Sequence, residues 1–549
     1  MKKFITISII ALSALSCSLD EKMDGYATRG NAYGTFSQAQ AVVNNCYRYT
    51  SFITTNFGLM TEACTDIWFC NTSTVDASLK ISPSQPGVGS AVWNNCYSAI
   101  ACCNEAIECI VNRSGLAEAE KAQLQAEARA LRALYYYFLT NTFDGVPFYL
   151  EMVEDRDTQD RIQKLPRTPA NEIRKALYED LRTNALPVFT KESGLRARPS
   201  EIKGNRAGYA LSLMLMAKFA MWYGNWNEAL EPLLELEELY GTLDESSYPL
   251  EDTKWSVKNT AESIFEIQHA WSTTGVQYSS SYGRLTLPSY DGDSWFNGVY
   301  MPELGTSLAS WAALRANYHY AACRPAQQSD GSVPRLSSDP QFTETIFGGL
   351  PMSLTNEYLS GDGRYAVAID PDKFPLCDRR ASFVLGLGKN STAETFSSVR
   401  RGMNTFAGPK LWCYGMVSSY DSNNYKILRY ADAVLMIAEC YAMKGDLSRA
   451  VKYLNCTRVR AGLEPLQTTS DMPGFLQELR DERARELGGE LHRKYDLVRW
   501  GIWYEETYKW SNNTALKSNM RPCHQYYPIP DTECALSGYI LTNDAYSEN

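Results

Sequence analysis

The sequence predicts a mainly α-helical protein in which helical repeats form a scaffold that carries a large irregular, loop-rich insertion, all in a single large domain. Apolar residues recur every three or four positions through both ends of the 549-residue chain, as in amphipathic helices. Between about Glu262 and Lys426 this period is lost, and Gly, Ser, Asp and aromatic residues dominate. No Gly/Ser/Pro-rich linker divides the chain, which favours one body over several domains.

The clearest helical pattern lies near the C-terminus. Apolar residues from Ile427 to Tyr441 step by three or four, and Gly445 is expected to end that helix because glycine readily adopts positive φ. A second helix is predicted from Leu447 to about Val459. Two antiparallel helices joined by a tight glycine turn form a helical-repeat unit.

The same spacing of a small residue, a glycine and a second small residue occurs twice, at Ala217, Gly224 and Ala229 and again at Ala438, Gly445 and Ala450. In the tetratricopeptide pattern these positions belong to the first helix, the turn and the second helix. The spacing therefore predicts tetratricopeptide-like repeats, with chance similarity between two helical hairpins as the alternative.

The remaining elements follow from periodicity and turn signals. Helices are predicted over residues 37–50, with Ser37 as N-cap, and over 92–111, 115–143, 171–186, 204–223 and 225–240. Residues 56–91 are predicted as a loop, and short strands are predicted at 263–268 and 383–387.

A charged third helix follows the C-terminal hairpin. Apolar residues are interleaved with its charges, so some ion pairs must be partly buried, and a buried charge persists only when it is partnered. We interpret five of these residues as a structural ion-pair network, with a catalytic role as the alternative: Glu482, Arg483, Glu486, Arg493 and Asp496.

Several motifs carry a family resemblance. The runs ILRYADAVLMIAEC, RVRAGL, ERARELGGELHRKYDLVRWG and YYPIP resemble the C-terminal signature of the SusD/RagB family, and AEARALRALYYYFLTNTFDGVPFY extends the resemblance upstream, so that it spans nearly the whole chain. The resemblance implies an outer-membrane lipoprotein of Bacteroidetes that binds nutrients, mostly glycans, for a partner TonB-dependent transporter. One departure is Leu491, where the family usually has glycine before the His-Arg pair.

The N-terminus has the proportions of a lipoprotein signal. Residues 1–16 contain two lysines, a short apolar run and small residues before Cys17. We expect Cys17 to be lipidated and residues 17–36 to be a tether; an ordinary secreted protein with Cys17 free is the alternative. The acidic residues just after Cys17 resemble a surface-export signal, which predicts an outer-membrane location facing the exterior.

The composition of the chain limits the kinds of partner and site that it can have. The formal charge is −10 and no Lys/Arg cluster occurs, so nucleic acid is a poor partner. Fifteen cysteines without C-x-x-C pairs, and only four histidines, argue against a metal site and favour mostly buried thiols.

We predict an N-terminal helical region (37–261), an irregular ligand-binding region (262–424) and a C-terminal helical region (425–549).

The expected ligand chemistry points to aromatic and polar residues outside regular helices. A sugar needs flat aromatics against its C–H face and polar groups for its hydroxyls. In the family, as the resemblance implies, the pocket combines the loop after the first helix with the insertion. By region, we predict as ligand-binding residues Asp66, Trp68, Trp271, Tyr282 and Trp295.

The predicted function is non-enzymatic. No G-x-S-x-G, H-E-x-x-H or Gly-rich phosphate loop occurs, and no cofactor is predicted. We predict a surface lipoprotein that binds an oligosaccharide and delivers it to a SusC-like TonB-dependent transporter. A tetratricopeptide-like scaffold or peptide-binding receptor is the alternative, and a glycoside hydrolase ranks last.

Overall fold

The structure is a computed structural model. It describes residues 32–70, 72–271, 420–511 and 513–547, together with short pieces between 277 and 413. Among these residues, no helix combines the length and the apolar character needed to cross a membrane.

The N-terminal half is built from packed helices. Helices α3 and α4 pack against each other along their length, and α1 packs against both. The helices before the insertion are α1 (Phe36–Tyr47), α2 (Thr55–Thr61), α3 (Gly89–Arg113), α4 (Glu118–Phe143), α5 (Arg156–Gln163), α6 (Ala170–Asp180), α7 (Tyr209–Trp222) and α8 (Trp226–Tyr240).

The C-terminal half is also built mainly from packed helices. The helices from the insertion onward are α9 (Gly283–Thr286), α10 (Tyr430–Met443), α11 (Leu447–Arg460), α12 (Met472–Leu487), α13 (Arg493–Arg499), α14 (Trp503–Trp510), α15 (Thr514–Asn519), α16 (Asp531–Leu536) and α17 (Asp544–Ser547).

Two hairpins, α7–α8 and α10–α11, stand side by side because α10 packs against α8. Their turns contain Gly224 at φ +75° and Gly445 at φ +84°, values that a residue without a Cβ adopts at low cost. Both predicted hairpins are confirmed, and so is the prediction of a mainly helical single domain. Ala217, Ala229, Ala438 and Ala450 are buried, which lets the paired helices approach closely.

Short strands occur in the described part of the insertion and where it meets the helical scaffold. They are β1 (Trp68–Cys70), β2 (Ser263–Ile267), β3 (Ala270–Trp271), β4 (Gln277–Tyr278), β5 (Trp295–Phe296), β6 (Val299–Tyr300), β7 (Leu314–Ala316), β8 (Ile346–Phe347), β9 (Leu350–Pro351), β10 (Phe383–Leu385), β11 (Thr405–Ala407) and β12 (Tyr425–Arg429).

Two pairings attach the insertion to the scaffold. Strand β2, where the insertion leaves the helices, pairs antiparallel with β12, where it returns. Strand β1, from the loop after α2, joins β7, β11 and β10 in a four-stranded sheet. This sheet brings the N-terminal loop and the insertion together, as the family resemblance implies for the ligand pocket.

Several boundaries differ from the sequence prediction. Ile427 and Leu428 lie in β12 and not in a helix; this strand is buried throughout and runs directly into α10, so its apolar run merged with the helical period. Thr35, and not Ser37, caps α1 by accepting a hydrogen bond from the Gln38 N–H. Residues 56–91 are not all loop, since they contain most of α2 and all of β1.

The charged third helix is in fact two helices. Helix α12 ends at Leu487, and α13 begins at Arg493. Between them Gly489 has φ +83° and Leu491 has φ +70°. Positive φ costs an L-residue about 1 kcal/mol, which gives a physical reason for the glycine that the family usually has at the position of Leu491.

The cysteines mostly serve as small core residues. Of the twelve cysteines in the described part of the chain, nine are buried and none is in a disulfide. The prediction of mostly buried thiols is confirmed for this part of the chain.

Candidate functional site

A buried group of charged side chains lies where the insertion returns to the scaffold. Arg429, the last residue of β12, stands at its centre. Its guanidinium donates hydrogen bonds of 2.7–2.8 Å to three buried carboxylates, Glu262, Glu486 and Glu490. Lys410, from the far end of the insertion, also pairs with Glu490.

Two carboxylates of this group, Glu262 and Glu490, have lowered pKa values. Burial alone disfavours ionisation of Glu490, but Arg429 and Lys410 outweigh it and lower the pKa of Glu490. Burial likewise opposes ionisation of Glu262, and Arg460 and Arg429 lower the pKa of that carboxyl. These charges therefore fix the base of the insertion to the helices.

The five residues assigned to a structural ion-pair network are all buried, and each is in an ion pair: Glu482, Arg483, Glu486, Arg493 and Asp496. Arg483, for example, bridges Asp496 at 2.7 Å and Asp432 at 2.8 Å. The sequence-based interpretation as a structural network is confirmed.

Asp66, one of the predicted ligand residues, belongs to a second buried ion-pair cluster. Its carboxylate is 2.8 Å from Nε of Arg493 and 2.8 Å from Nδ1 of His319, a residue of the insertion. Burial opposes ionisation of Asp66, but the charges of Arg493 and His319 lower its pKa. Burial also lowers the pKa of His319, yet Asp66 and Asp481 raise it to about 9 overall.

Asp66, His319 and Glu506 lie close enough together to suggest a metal site. A histidine with a pKa of about 9 is protonated at neutral pH and offers no lone pair to a metal ion. Arg493 already satisfies the Asp66 carboxylate. Asp66, His319 and Arg493 thus form an ion-pair cluster.

Trp68 and Tyr282, two further predicted ligand residues, are packed in the core. Trp68 is fully buried in β1, opposite Ala316 of β7. Tyr282 is 1% exposed, stacks on Trp255 with ring centroids 5.0 Å apart, and donates a hydrogen bond to the Gly489 carbonyl. Both side chains therefore have packing roles in this structure. Their direct contact with a ligand stays a prediction.

The structure gives less detail for the other predicted residues. Trp271 lies in β3 and Trp295 in β5, but their side chains fall outside the described part of the structure, as does all of Cys17. The structure brings Asp66 and Tyr282 to the same segment, Gly489–Arg493, where Asp66 pairs with Arg493 and Tyr282 donates a hydrogen bond to the Gly489 carbonyl.

Two open clefts lie elsewhere on the described surface. We name the first the interhairpin cleft; it has a volume of about 400 Å³ and is lined by residues that include Trp222, Tyr223, Trp226, Arg480 and Trp500. It opens beside the turn between α7 and α8. Sequence reasoning did not single out this site, although the tryptophans beside the Gly224 turn were a visible signal.

The second cleft, which we name the α3 cleft, has a volume of about 360 Å³. Trp93, Tyr97 and Tyr149 form its aromatic wall, and Leu536 and Leu541 form the opposite side. Trp93 is 4% exposed and packs against Phe143, so its part in the cleft is mainly structural.

The fold and these sites define a class of protein: a helical scaffold whose insertion is fixed in place by buried ion pairs, with aromatic clefts on its surface. Comparison with known proteins is consistent with this class. The family model described as "SusD family" matches residues 401–546, and a SusD-like model described as "Starch-binding associating with outer membrane" matches residues 20–200.

Curated relatives extend the similarity between and beyond these segments. The chain is 24% identical to SusD-like protein P25 of Formosa agariphila over 474 residues, 83% of this chain and 79% of that protein. It is 23% identical to the starch-binding protein SusD of Bacteroides thetaiotaomicron over 466 residues, 79% and 74% of the two chains. The chain belongs to the SusD/RagB family.

A solved structure supports the fold. Surface glycan-binding protein A from Bacteroides fluxus superposes with a TM-score of 0.61 and covers 92% of this chain and 97% of its own, at 20% sequence identity. At this identity the likeness concerns the fold alone.

Proposed function

We propose that this protein is a cell-surface lipoprotein that binds a glycan and delivers it to a SusC-like TonB-dependent transporter in the outer membrane. The observation that carries the proposal is that SusD family models match a segment near each end of the chain, residues 20–200 and 401–546. The matched N-terminal model is described as starch-binding and associating with the outer membrane. A relative named as starch-binding and a structural neighbour titled as surface glycan-binding support the same ligand class.

The chemistry of the chain agrees with a binding role. The buried carboxylates described above are paired with arginine or lysine, as expected of charges with a structural role. Aromatic side chains line both described clefts, as sugar binding requires.

A peptide-binding receptor or protein scaffold is the second candidate function. It is favoured by the interhairpin cleft, because helical repeats commonly present such grooves to peptides.

Calorimetry on the full mature protein in detergent, titrated with a panel of neutral and acidic oligosaccharides and of peptides, tests the ligand class. We expect saturable heat with at least one oligosaccharide, and we expect that oligosaccharide to be recovered intact. Incubation of each mixture followed by an assay for new reducing ends is the control for hydrolysis. Product formation, or binding of peptides alone, contradicts the proposal.

The lipid anchor is tested in cells by a Cys17→Ala substitution, and the transporter partner is tested by copurification of the wild-type protein. We expect the variant to lose surface labelling by antibody on intact cells while its total amount persists. The reason is that each CH₂ of an acyl chain buried in the membrane contributes about 0.8 kcal/mol to anchoring, and the variant carries no acyl chain. Wild-type protein extracted gently should copurify with a large β-barrel protein. Protection of wild-type protein from protease in intact cells contradicts the exterior location, and a monodisperse wild-type monomer contradicts the transporter partner.

A further inference from the structure

The interhairpin cleft has the surface of a ligand site. Its volume of about 400 Å³ falls within the roughly 300–1,000 Å³ that is typical of small-molecule pockets. Three tryptophans line it, Trp222, Trp226 and Trp500, and all three are half-buried, so each combines a fixed ring with an accessible part. Flat, partly exposed rings of this kind can cover the apolar face of a sugar.

One wall of the cleft is electrically neutral. Arg499 pairs with both carboxylate oxygens of Glu439, at 2.6 and 2.8 Å. The indole N–H of Trp500 donates a third hydrogen bond to the same carboxylate at 2.9 Å. The direct contacts of Glu439 in this wall are therefore with Arg499 and Trp500.

Arg480 supplies a guanidinium that makes no direct ion pair within the described residues. Its guanidinium carbon lies 5.6 Å from the centre of the Trp500 ring. Among the residues that the structure describes, no ion pair or hydrogen bond of its guanidinium is found. Partial burial lowers the pKa of Arg480 and nearby Arg493 lowers it further, while the charges of Glu439, Glu506 and Asp481 oppose these effects without restoring the ordinary value. A half-buried guanidinium without a partner is costly, and an anionic ligand would offset that cost.

A second cation lies behind Trp222. The Arg174 guanidinium stands 4.1 Å from the Trp222 ring centre and donates to neutral acceptors, the side chains of Asn171 and Asn141 and the Thr140 carbonyl. No carboxylate pairs with Arg174 in the described part of the chain. Two guanidiniums that form no ion pair within the described residues, those of Arg480 and Arg174, therefore stand beside the cleft in a protein whose net charge is −10.

We propose that the interhairpin cleft binds an anionic saccharide residue, whose ring packs against the tryptophans while its carboxylate or sulfate pairs with Arg480. Guanidinium groups recognise both anions through paired N–H donors. This inference rests on the proposed glycan-binding function and adds a charged subsite, at a cleft distant in sequence from the residues predicted for the ligand pocket.

The test compares Arg480→Gln with the wild-type protein by calorimetry, using the full mature protein in detergent. The probes are oligogalacturonate for a carboxylate, a sulfated galactan oligosaccharide for a sulfate, and a malto-oligosaccharide as the neutral reference. We expect the wild type to bind at least one anionic probe, with weaker affinity at high salt, and Arg480→Gln to lose about tenfold or more of that affinity. Whichever anionic probe shows this loss identifies the anion.

Arg182→Gln is the matched control. Arg182 is exposed, pairs with Glu179 and does not line the cleft, so this variant removes the same charge without touching the site. Trp226→Ala removes one aromatic wall and should also weaken the anionic probe. Thermal unfolding of each variant confirms that it is folded.

The outcomes separate the two proposals. Equal binding of an anionic probe by Arg480→Gln and wild type, or wild-type binding of the neutral probe alone, overturns the charged subsite and leaves the glycan receptor intact. Absence of binding to every saccharide overturns both. Binding of an acidic peptide that depends on Arg480, without saccharide binding, overturns the saccharide assignment and favours the peptide receptor.

Discussion

Replacing Arg429 by alanine is expected to lower the free energy of unfolding by about 3–5 kcal/mol. The substitution leaves Glu262, Glu486 and Glu490 buried without the guanidinium that pairs with all three, and a buried charge without its partner is strongly destabilising. It also loosens the closure of β2 against β12, so the insertion should become more sensitive to protease. Urea unfolding at pH 7, followed by circular dichroism, measures the effect.

Arg182→Ala is the control for this prediction, since an exposed ion pair contributes about 0–1 kcal/mol. A loss in Arg429→Ala no larger than in this control would show that the buried network is dispensable.

The pH dependence of stability provides an independent test of the ion pairs around Arg429. The folded-state pKa values of Glu262 and Glu490 are below their ordinary value of 4.5. Their contribution is therefore present above pH 4.5 and lost as the pH falls through the lowered values. The difference in stability between wild type and Arg429→Ala should accordingly shrink on acidification.

Trp68→Ala is expected to cost about 3–5 kcal/mol of stability, as is usual for a buried tryptophan replaced by alanine. Trp68 is fully buried in β1 and packs at the junction between the N-terminal loop and the sheet of the insertion. The thermal midpoint of the variant should fall by many degrees. The same measurement on Trp226→Ala, a half-buried cleft residue, should show a much smaller change.

The Trp68 result also decides between two roles for that residue. Loss of glycan binding with a nearly unchanged midpoint would mark Trp68 as a ligand platform and contradict the core assignment. A large loss of stability marks it as packing, and the search for aromatic platforms then moves to the insertion and the interhairpin cleft.

The helical scaffold could be predicted from the sequence because its signals are local. The turn glycines Gly224 and Gly445 and the buried alanines of the two hairpins are expressed in short-range spacing, and the structure confirms them. Local signals failed at β12, where a wholly buried strand runs directly into a helix and leaves no break in the apolar pattern. They also failed to separate α12 from α13, because a leucine stands where a positive φ is required.

The candidate site was harder to predict, because its residues meet across long sequence separations. Trp68 was singled out as an aromatic in a polar loop, yet that loop pairs with β7 and buries it. Asp66 was singled out as a polar ligand residue, yet it is held by Arg493, more than 400 residues away. That Arg480 has no direct ion pair within the described residues becomes visible only in the tertiary structure, where Glu439 pairs with Arg499 and accepts from Trp500.

The sequence by itself determined the helical architecture, the buried role of the charged C-terminal helix and the family of the protein, since periodicity, turn glycines and motifs are properties of neighbouring residues. Tertiary structure alone decided which charges are paired, which aromatics are core and where an open aromatic cleft lies. The physical reason is that burial and ion pairing depend on which distant segments pack together, and a linear pattern does not record that packing.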